Sequence, residues 1–368
     1  MKRPRKSMGN DQECNRTNSS GGHTAPYPDH DYLAGASTSD NLQAAVLHIQ
    51  QLEAENQRLR ILRFDTSRFT ADPGMIKFYT GFDGYEQFRN TFQALQPTHD
   101  GALRGSPWTA ITDIQRNENV EPIDQFFLFM CRCRAGLLEQ DLAVRFGISM
   151  TTVIGILTIW TNYLHFVLAS LPVWQSRHQV DAQMPQCFKE AYPRTRVILE
   201  SIDMAYETPL SHLHCQEHSH RKPSDTWRGL VGITPAGSVS FVSPLYAGSV
   251  SDLDIIHRSG LVDKLNKSDN VFLDGKFLSS EELYSSKSRM SNHSQASTSP
   301  SNPRCSMVML EETLSAVSVQ KHLERAIGRV KSYRVFDTVI PASLREFISR
   351  IWTVCCLMTN FKEPLDVL

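Results

Sequence analysis

The sequence predicts an α/β protein with a helical N-terminal part, and three patterns support this prediction. Apolar residues recur at seven-residue intervals within residues 41–64, which is typical of a coiled-coil helix. Two helical segments meet at Gly147, which indicates a helix-turn-helix unit. From residue 186 onward, short β-type apolar runs alternate with turns and two longer helical segments.

The composition is that of a soluble globular protein, because 40% of the 368 residues are hydrophobic and 21% are charged. The formal net charge of −1 provides no global basic field, so any affinity for DNA must come from a local patch. The eight cysteines show no zinc-ribbon or small-secreted-domain spacing, which favours reduced thiols in the nucleus or cytoplasm. No apolar run reaches the roughly 20 residues of a membrane span, so no membrane contact is expected.

The first 64 residues predict a disordered tail and a short coiled coil. Residues 1–40 are rich in small polar residues. Their basic start, Lys2-Arg-Pro-Arg-Lys6, predicts a nuclear location, with a solvated tail on a cytoplasmic protein as the alternative. In residues 41–64, one seam position of the seven-residue repeat holds Leu42, Ile49 and Asn56. The other seam position holds Ala45, Leu52 and Leu59. We expect a homodimer through residues 42–59; the alternative is an amphipathic helix docked on its own domain.

A helix-turn-helix domain is predicted at residues 119–185, after a small helical region and a polar linker at 65–118. The first helix covers residues 138–146, Gly147 makes the turn and Ser149 caps the second helix. Arg145 is a candidate DNA contact. The second helix carries Ile154 and Gly155 where polar or basic side chains would read bases, so a purely structural role stays open.

Residues 186–368 predict an α/β domain. Strands are expected at residues 196–199, 229–234, 238–243 and 271–273, with helices at 251–265 and 311–334. Three strands, a helix, a fourth strand and a late helix is the RNase H-like order. The serine-rich stretch 279–304 predicts a low-complexity, disordered loop, and residues 306–310 are expected to hold a remnant strand. A closing core helix is expected at 347–361.

Three carboxylates could converge on divalent cations. Glu200 and Asp274 each follow an apolar β-type run, and Glu324 lies on the late helix, two turns before Lys331. Mg²⁺ and Mn²⁺ prefer oxygen ligands and keep open positions for phosphate oxygens. The sequence therefore predicts Glu200, Asp274 and Glu324 as metal ligands and catalytic residues. Asp203 is an odd number of residues from Glu200, so we expect it on the other face of the strand.

Several segments resemble, in order, the DDE endonuclease domain of Harbinger-type transposases and their host-domesticated relatives. The resemblance runs from about Phe78 to the C-terminus and rests on these segments: Arg196-Val-Ile-Leu-Glu200, Glu207-Thr-Pro209, Gly229-Leu-Val-Gly-Ile-Thr-Pro-Ala-Gly237, Gly248-Ser-Val-Ser-Asp252, Glu324-Arg-Ala-Ile-Gly-Arg-Val-Lys331 and Ile351-Trp-Thr-Val-Cys-Cys356. It implies an RNase H-like fold with metal ligands on the first strand, the fourth strand and a late helix.

The resemblance implies metal-dependent cleavage or strand transfer on DNA phosphodiesters. The family has aspartate where this chain has Glu200, and the extra methylene adds one carbon–carbon bond of about 1.5 Å. Since Mg²⁺ demands near-ideal octahedral geometry, we expect weakened catalysis. The alternative is a catalytically silent, dimeric DNA- or protein-interaction protein that keeps the fold.

Two further groups of residues are candidate contacts. Lys331 and Lys222 are expected to contact DNA as point charges on phosphates. The stretch from His212 to His220 is dense in zinc-type ligands; a zinc site and a solvated loop are both consistent with it, the loop being favoured.

Overall fold

The computed structural model describes residues 38–96, 107–118, 120–207, 226–273, 276–291, 314–340, 344–363 and 365. It divides into two units, Met1–Gln57 and Arg58–Leu368. Several predicted features lie outside the described residues: most of the tail with its Lys2–Lys6 cluster, the His212–His220 stretch, Lys222, Asp274 and the strand at 306–310.

The predicted coiled-coil segment is a helix. Helix α1 spans Thr38–Leu62, so it begins three residues before and ends two residues before the predicted limits. Its seam positions Leu42, Ile49 and Leu52 are 67%, 53% and 51% exposed within the single chain. A row of half-exposed aliphatic side chains along one helix is a surface that association would bury.

The N-terminal part of the second unit is helical. Its helices are α2 (Pro73–Thr80), α3 (Tyr85–Leu95), α4 (Pro107–Glu118), α5 (Pro122–Met130), α6 (Glu139–Phe146), α7 (Met150–Ala169), α8 (Arg177–Gln183) and α9 (Gln186–Ala191). A π-helical turn at Cys131–Ala135 follows α5. Aromatic side chains fill the core between them; Phe126, for example, stacks on Phe88 with ring centroids 5.2 Å apart and lies 5.3 Å from Trp160.

The stretch predicted as a polar linker contains helix α4, and the prediction was wrong there. Ile111 of α4 is fully buried, and its carbonyl accepts a hydrogen bond from the side chain of Gln125 at 3.1 Å. The helix packs against α7. More than half of the α4 residues are polar, which is why the segment reads as a linker.

The predicted turn between α6 and α7 is confirmed. Gly147 ends α6 in the left-handed region with φ of 65°, which a residue with a Cβ adopts only with strain. The Ser149 hydroxyl accepts a hydrogen bond from the Thr152 backbone N–H at 3.0 Å and so caps α7. The local chemistry of these two residues is sufficient to place the turn.

By length and composition, α7 could cross a membrane, with a mean hydropathy of 1.5 over its best window. A core helix of a soluble protein passes the same test. Trp160 and Leu164 of α7 are fully buried, and the Trp160 indole N–H donates to the Gln125 side chain at 3.2 Å. Helix α7 therefore serves as a central packing element of the helical part.

One sheet organises the rest of the second unit. Its strands are β1 (Thr195–Ala205), β2 (Thr226–Ile233), β3 (Val239–Val242), β4 (Tyr246–Ala247), β5 (Asn270–Leu273) and β6 (Lys276–Ser279). The order is β3-β2-β1-β5-β6, and β4 also pairs with β2. Strand β1 runs antiparallel to β2 and parallel to β5, so the sheet is mixed and β1 is central.

Strand β1 is longer than the prediction of 196–199. It continues through Ala205, because alternation is kept beyond Glu200: Ile202 and Met204 are buried on the same face as Ile198. The polar residues Ser201 and Asp203 between them conceal this alternation in the sequence. Glu200 consequently lies near the middle of a strand and not at its end.

The remaining helices cover the two faces of the sheet. They are α10 (Asp252–Arg258), α11 (Ser280–Ser291), α12 (Leu314–Lys331) and α13 (Ile348–Met358). Side chains of α12 and α13 share a core with Ile198 and Val231. Those of α10 and α11 share the opposite core with Val197 and Leu199.

Two of these helices differ from prediction. Helix α10 was expected to run to residue 265, but it ends at Arg258, and Gly260 follows with φ of 74°. The start of the predicted disordered loop is ordered as β6 and α11: Leu283 is buried, and the Tyr284 hydroxyl donates to the Val262 carbonyl at 2.9 Å. Residues 292–304 lie outside the part that the structure describes.

Candidate metal centre

Glu200 lies on the central strand and faces α12, the helix that carries Glu324 and Lys331. Its cross-strand neighbour is Val231, which belongs to the core beneath α12. The carboxylate side chain is 31% exposed. Glu200 is therefore a partly desolvated acid flanked by apolar residues, in a position that a bound cation would stabilise.

The Glu200 carboxylate forms an ion pair with Lys331. The Lys331 Nζ lies 2.6 Å from the Glu200 Oε1, and 51% of the lysine side chain is exposed. Lys331 was predicted to contact DNA; in this structure its ammonium group contacts a predicted metal ligand. An ammonium ion at this distance neutralises the charge that would attract a divalent cation.

Glu324 lies on the exposed side of α12, where Leu323 and Ala326 turn toward the core. Seven residues separate it from Lys331, so both project from similar sides of the helix with Cα atoms about 10 Å apart along the axis. Because Lys331 contacts Glu200, Glu324 lies two turns away from that contact, toward the start of α12.

The third predicted ligand, Asp274, lies outside the described residues. The preceding residue, Leu273, pairs with Leu199 in the parallel ladder between β5 and β1. The last described residue of β5 thus pairs with Leu199, which directly precedes Glu200 in β1. Among the described residues, no group of three His, Cys, Asp or Glu side chains is close enough to hold a metal ion. In chemical type, the two described carboxylates suit a hard cation such as Mg²⁺.

Asp203 is on the opposite face of β1, as its spacing from Glu200 predicts. Its two carboxylate oxygens accept hydrogen bonds from the Arg228 guanidinium at 2.6 and 2.8 Å. Arg228 also lies 3.4 Å from Asp252 at the start of α10. This bridge was not anticipated from the sequence; the cross-strand register of Asp203 and Arg228 is what brings the two side chains together.

The predicted DNA contact Arg145 already makes contacts within the chain. Its Nε donates to the Asp141 carboxylate at 2.8 Å, one helical turn away. Its guanidinium lies 5.4 Å from the centre of the Phe64 ring. The hydrogen bond to Asp141 raises the pKa of Arg145. Lys222 lies outside the described residues.

One buried histidine of α12 was not anticipated. His322 is 4% exposed, and its ring meets Phe188 of α9 edge-on at 6.1 Å. Burial lowers the pKa of His322, so the ring is neutral near pH 7. It is a packing residue between α9 and α12, and its position in the apolar stripe of α12 is the sequence signal for that role.

Two known families match parts of the chain. Residues 199–360 match the family described as DDE superfamily endonuclease. Residues 119–170 match the family described as helix-turn-helix of DDE superfamily endonuclease. No curated protein and no solved structure matches the chain.

Proposed function

We propose that this chain, whose two family matches support a DDE superfamily endonuclease with a transposase helix-turn-helix, acts on DNA by metal-dependent phosphodiester cleavage or strand transfer. We further assign it to the Harbinger type, with an RNase H-like domain. The observation that carries the proposal is the match over residues 199–360, which begins one residue before Glu200 on the central strand.

Glu200, Asp274 and Glu324 would hold the divalent cation, Mg²⁺ or Mn²⁺. When bound, such an ion polarises a phosphoryl oxygen and stabilises the charge that develops during displacement. The chain's own part is to fix the carboxylates on a strand of a six-stranded sheet and on α12. The test is a nicking assay on supercoiled DNA with Mg²⁺ and with Mn²⁺, comparing the unmodified chain with Glu200→Asp.

A second candidate function is favoured by the Glu200–Lys331 ion pair. A lysine that holds a predicted metal ligand at 2.6 Å can replace the cation electrostatically and leave the fold without its chemistry. The chain would then be a catalytically silent protein that binds DNA or another protein. The nicking assay separates the two, because the silent protein would show no cleavage with either metal, even as Glu200→Asp.

Replacing Lys331 should strengthen metal binding. In Lys331→Met the competing ammonium is lost, and because an exposed ion pair contributes about 0.2–1 kcal/mol, we expect Mn²⁺ affinity to rise by up to about fivefold. Titration followed by the electron paramagnetic resonance signal of free Mn²⁺ measures it. Lys321→Met is the matched control, since Lys321 is exposed on the same helix. Equal affinities in both variants and the unmodified chain would contradict competition at Glu200.

DNA binding through the helix-turn-helix unit should be weak. Helix α7 contains neither Lys nor Arg, and near its start Met150 and Ile154 are 52% and 46% exposed. Apolar side chains cannot read base edges or neutralise phosphates. We therefore infer that DNA binding is salt-sensitive and has little sequence preference. If Lys2–Lys6 directs import, this binding would take place in the nucleus.

We also propose a homodimer through residues 42–59. Leu52 lies on the exposed seam of α1, and a charge at a seam position destabilises a short coiled coil. Leu52→Glu should convert the dimer to a monomer in sedimentation equilibrium. Gln50→Glu places the same charge outside the seam and should leave the dimer intact. A monomeric unmodified chain at tens of micromolar would refute the dimer.

A further inference from the structure

A pocket of about 400 Å³ lies between the turn that joins β2 to β3, helix α12 and the segment that follows α13. Small-molecule sites in proteins measure about 300–1,000 Å³, so this pocket has room for more than a single ion. Pro185, Ala236 and Leu365 form its apolar wall. An organic group of moderate size could therefore pack there.

Hydrogen bonds hold both sides of this pocket in place. On one side, the Asn360 side chain accepts from the Val239 N–H and donates to the Val239 carbonyl, both at 2.8 Å, which ties the segment after α13 to β3. On the other side, the Gly237 N–H donates to the Thr234 carbonyl at 2.8 Å and closes the turn. The pocket is thus formed before any ligand binds.

The half-buried Lys362 brings a positive charge to this pocket. Its ammonium group lies 5.4 Å from the centre of the Tyr333 ring, and within the described part of the chain no carboxylate pairs with it. Burial, followed by the charges of Arg134 and Arg329, lowers the pKa of Lys362 to about 8. An anion beside this ammonium would offset the cost of a cation in such surroundings.

The distribution of charge around Lys362 selects the side on which an anion fits. Arg329 lines the pocket together with Lys362, and no Asp or Glu among the described residues does so. A second hollow on the other side of Lys362 contains Glu86 and Glu363, whose carboxylates would repel an anion. The anion therefore belongs in the pocket beside Arg329.

The pocket also offers neutral donors. The Ser238 hydroxyl and the Gln183 amide line it, whereas the Thr359 hydroxyl is already occupied, because it donates to the Cys356 carbonyl at 2.6 Å. An ammonium group has three N–H donors. A phosphomonoester has three strong acceptor oxygens and a charge of about −1.5 to −2 at pH 7, so it suits these donors better than a carboxylate does.

We propose that this pocket binds a phosphomonoester of mononucleotide size, with Lys362 and Ser238 donating to the phosphate oxygens and the organic part packing on Pro185, Ala236 and Leu365. Two sources carry this chemistry: a free mononucleotide and the phosphorylated 5′ end of a DNA strand. Neither the metal centre nor the dimer enters the inference.

The first test is calorimetric titration of the full chain without divalent cations, using thymidine 5′-monophosphate and thymidine. We expect saturable binding of the nucleotide. Since a hydrogen bond to a charged group contributes about a factor of ten or more, thymidine should bind at least about tenfold more weakly. Lys362→Met should weaken nucleotide binding by about the same factor. Lys321→Met, the same change at an exposed position of α12, should leave it unchanged.

A second titration separates the two sources. It compares short single-stranded oligonucleotides that differ only in a 5′ phosphate or a 5′ hydroxyl. A preference for the 5′ phosphate that disappears in Lys362→Met would assign the pocket to a DNA end. Equal binding of both oligonucleotides, with nucleotide binding intact, would assign it to a free mononucleotide.

Two results would overturn the proposal: no saturable binding of thymidine 5′-monophosphate, or the same nucleotide affinity in Lys362→Met and the unmodified chain. If Lys362→Met fails to fold, Ser238→Ala takes its place. It removes one neutral donor and should weaken nucleotide binding about threefold, and an unchanged affinity would again contradict the proposal. Since no metal is present, failure here leaves the result of the nicking assay untouched.

Discussion

Glu200→Asp is expected to raise Mn²⁺-dependent nicking of supercoiled DNA by about 100-fold. The variant restores the side chain that the family resemblance implies at this position. The extra methylene of Glu200 displaces the carboxylate by about 1.5 Å, and a misplacement of about 1 Å can cost on the order of 100-fold in rate. The shorter side chain also withdraws from Lys331, which the glutamate contacts at 2.6 Å. Initial rates of nicked-circle formation measure the effect.

The control for this prediction is Glu346→Asp, the same change at an exposed position just before α13; it should leave the rate unchanged. Mn²⁺ should support more cleavage than Mg²⁺ in the unmodified chain, since Mg²⁺ demands near-ideal octahedral geometry. Robust, sequence-specific cleavage with Mg²⁺ by the unmodified chain would contradict the reasoning, because it would show that glutamate serves as well as aspartate at this position.

Trp352→Ala should lower the free energy of unfolding by about 3–5 kcal/mol. Trp352 of α13 is fully buried, and its indole N–H donates to the Ser243 carbonyl at 3.0 Å. The ring also lies directly over Gly229 of β2, where a Cβ would come within 2.7 Å of it. Truncation leaves a cavity at this close approach and removes the donor from a buried carbonyl. Urea unfolding followed by circular dichroism measures the loss.

Two comparisons separate the contributions to this loss. Trp352→Phe keeps an aromatic ring and removes the hydrogen bond, so its loss should be smaller. Trp174→Ala truncates a tryptophan that is only half-buried and should cost less than Trp352→Ala. If Trp352→Ala lowered the free energy of unfolding by less than about 1 kcal/mol, the result would contradict the role of α13 in holding the helical part against the sheet.

Local signals in the sequence predicted local structure well. The turn at Gly147 and the cap at Ser149 depend on neighbouring residues alone, and both were found at the predicted positions. Helix α4 and the second half of β1 were missed because their polar side chains outnumber the buried ones. In both segments, residues that are distant in the chain provide the apolar surroundings. The composition of the segment itself does not reveal them.

In the candidate site, the sequence singled out the residues but did not reveal the contacts between them. Residue types and spacing singled out Glu200, Glu324 and Lys331, and the structure places all three on the same side of the sheet. Which charge meets which could not be predicted, because Glu200 and Lys331 are 131 residues apart in the chain. The same holds for Arg228, whose partners follow from strand register and not from sequence proximity.

The hydrophobic core runs without interruption from Phe64 through α7 and the sheet to Met358. Helix α13, far along the chain from α7, packs against it. The helix-turn-helix unit therefore depends on the C-terminal helix for part of its core. Excising residues 119–170 would expose the apolar side of α13, and grafting them elsewhere would expose α7. In the evolution of such chains, exchange of the target-recognition unit would require either co-transfer of the C-terminal helix or compensating substitutions on both helices.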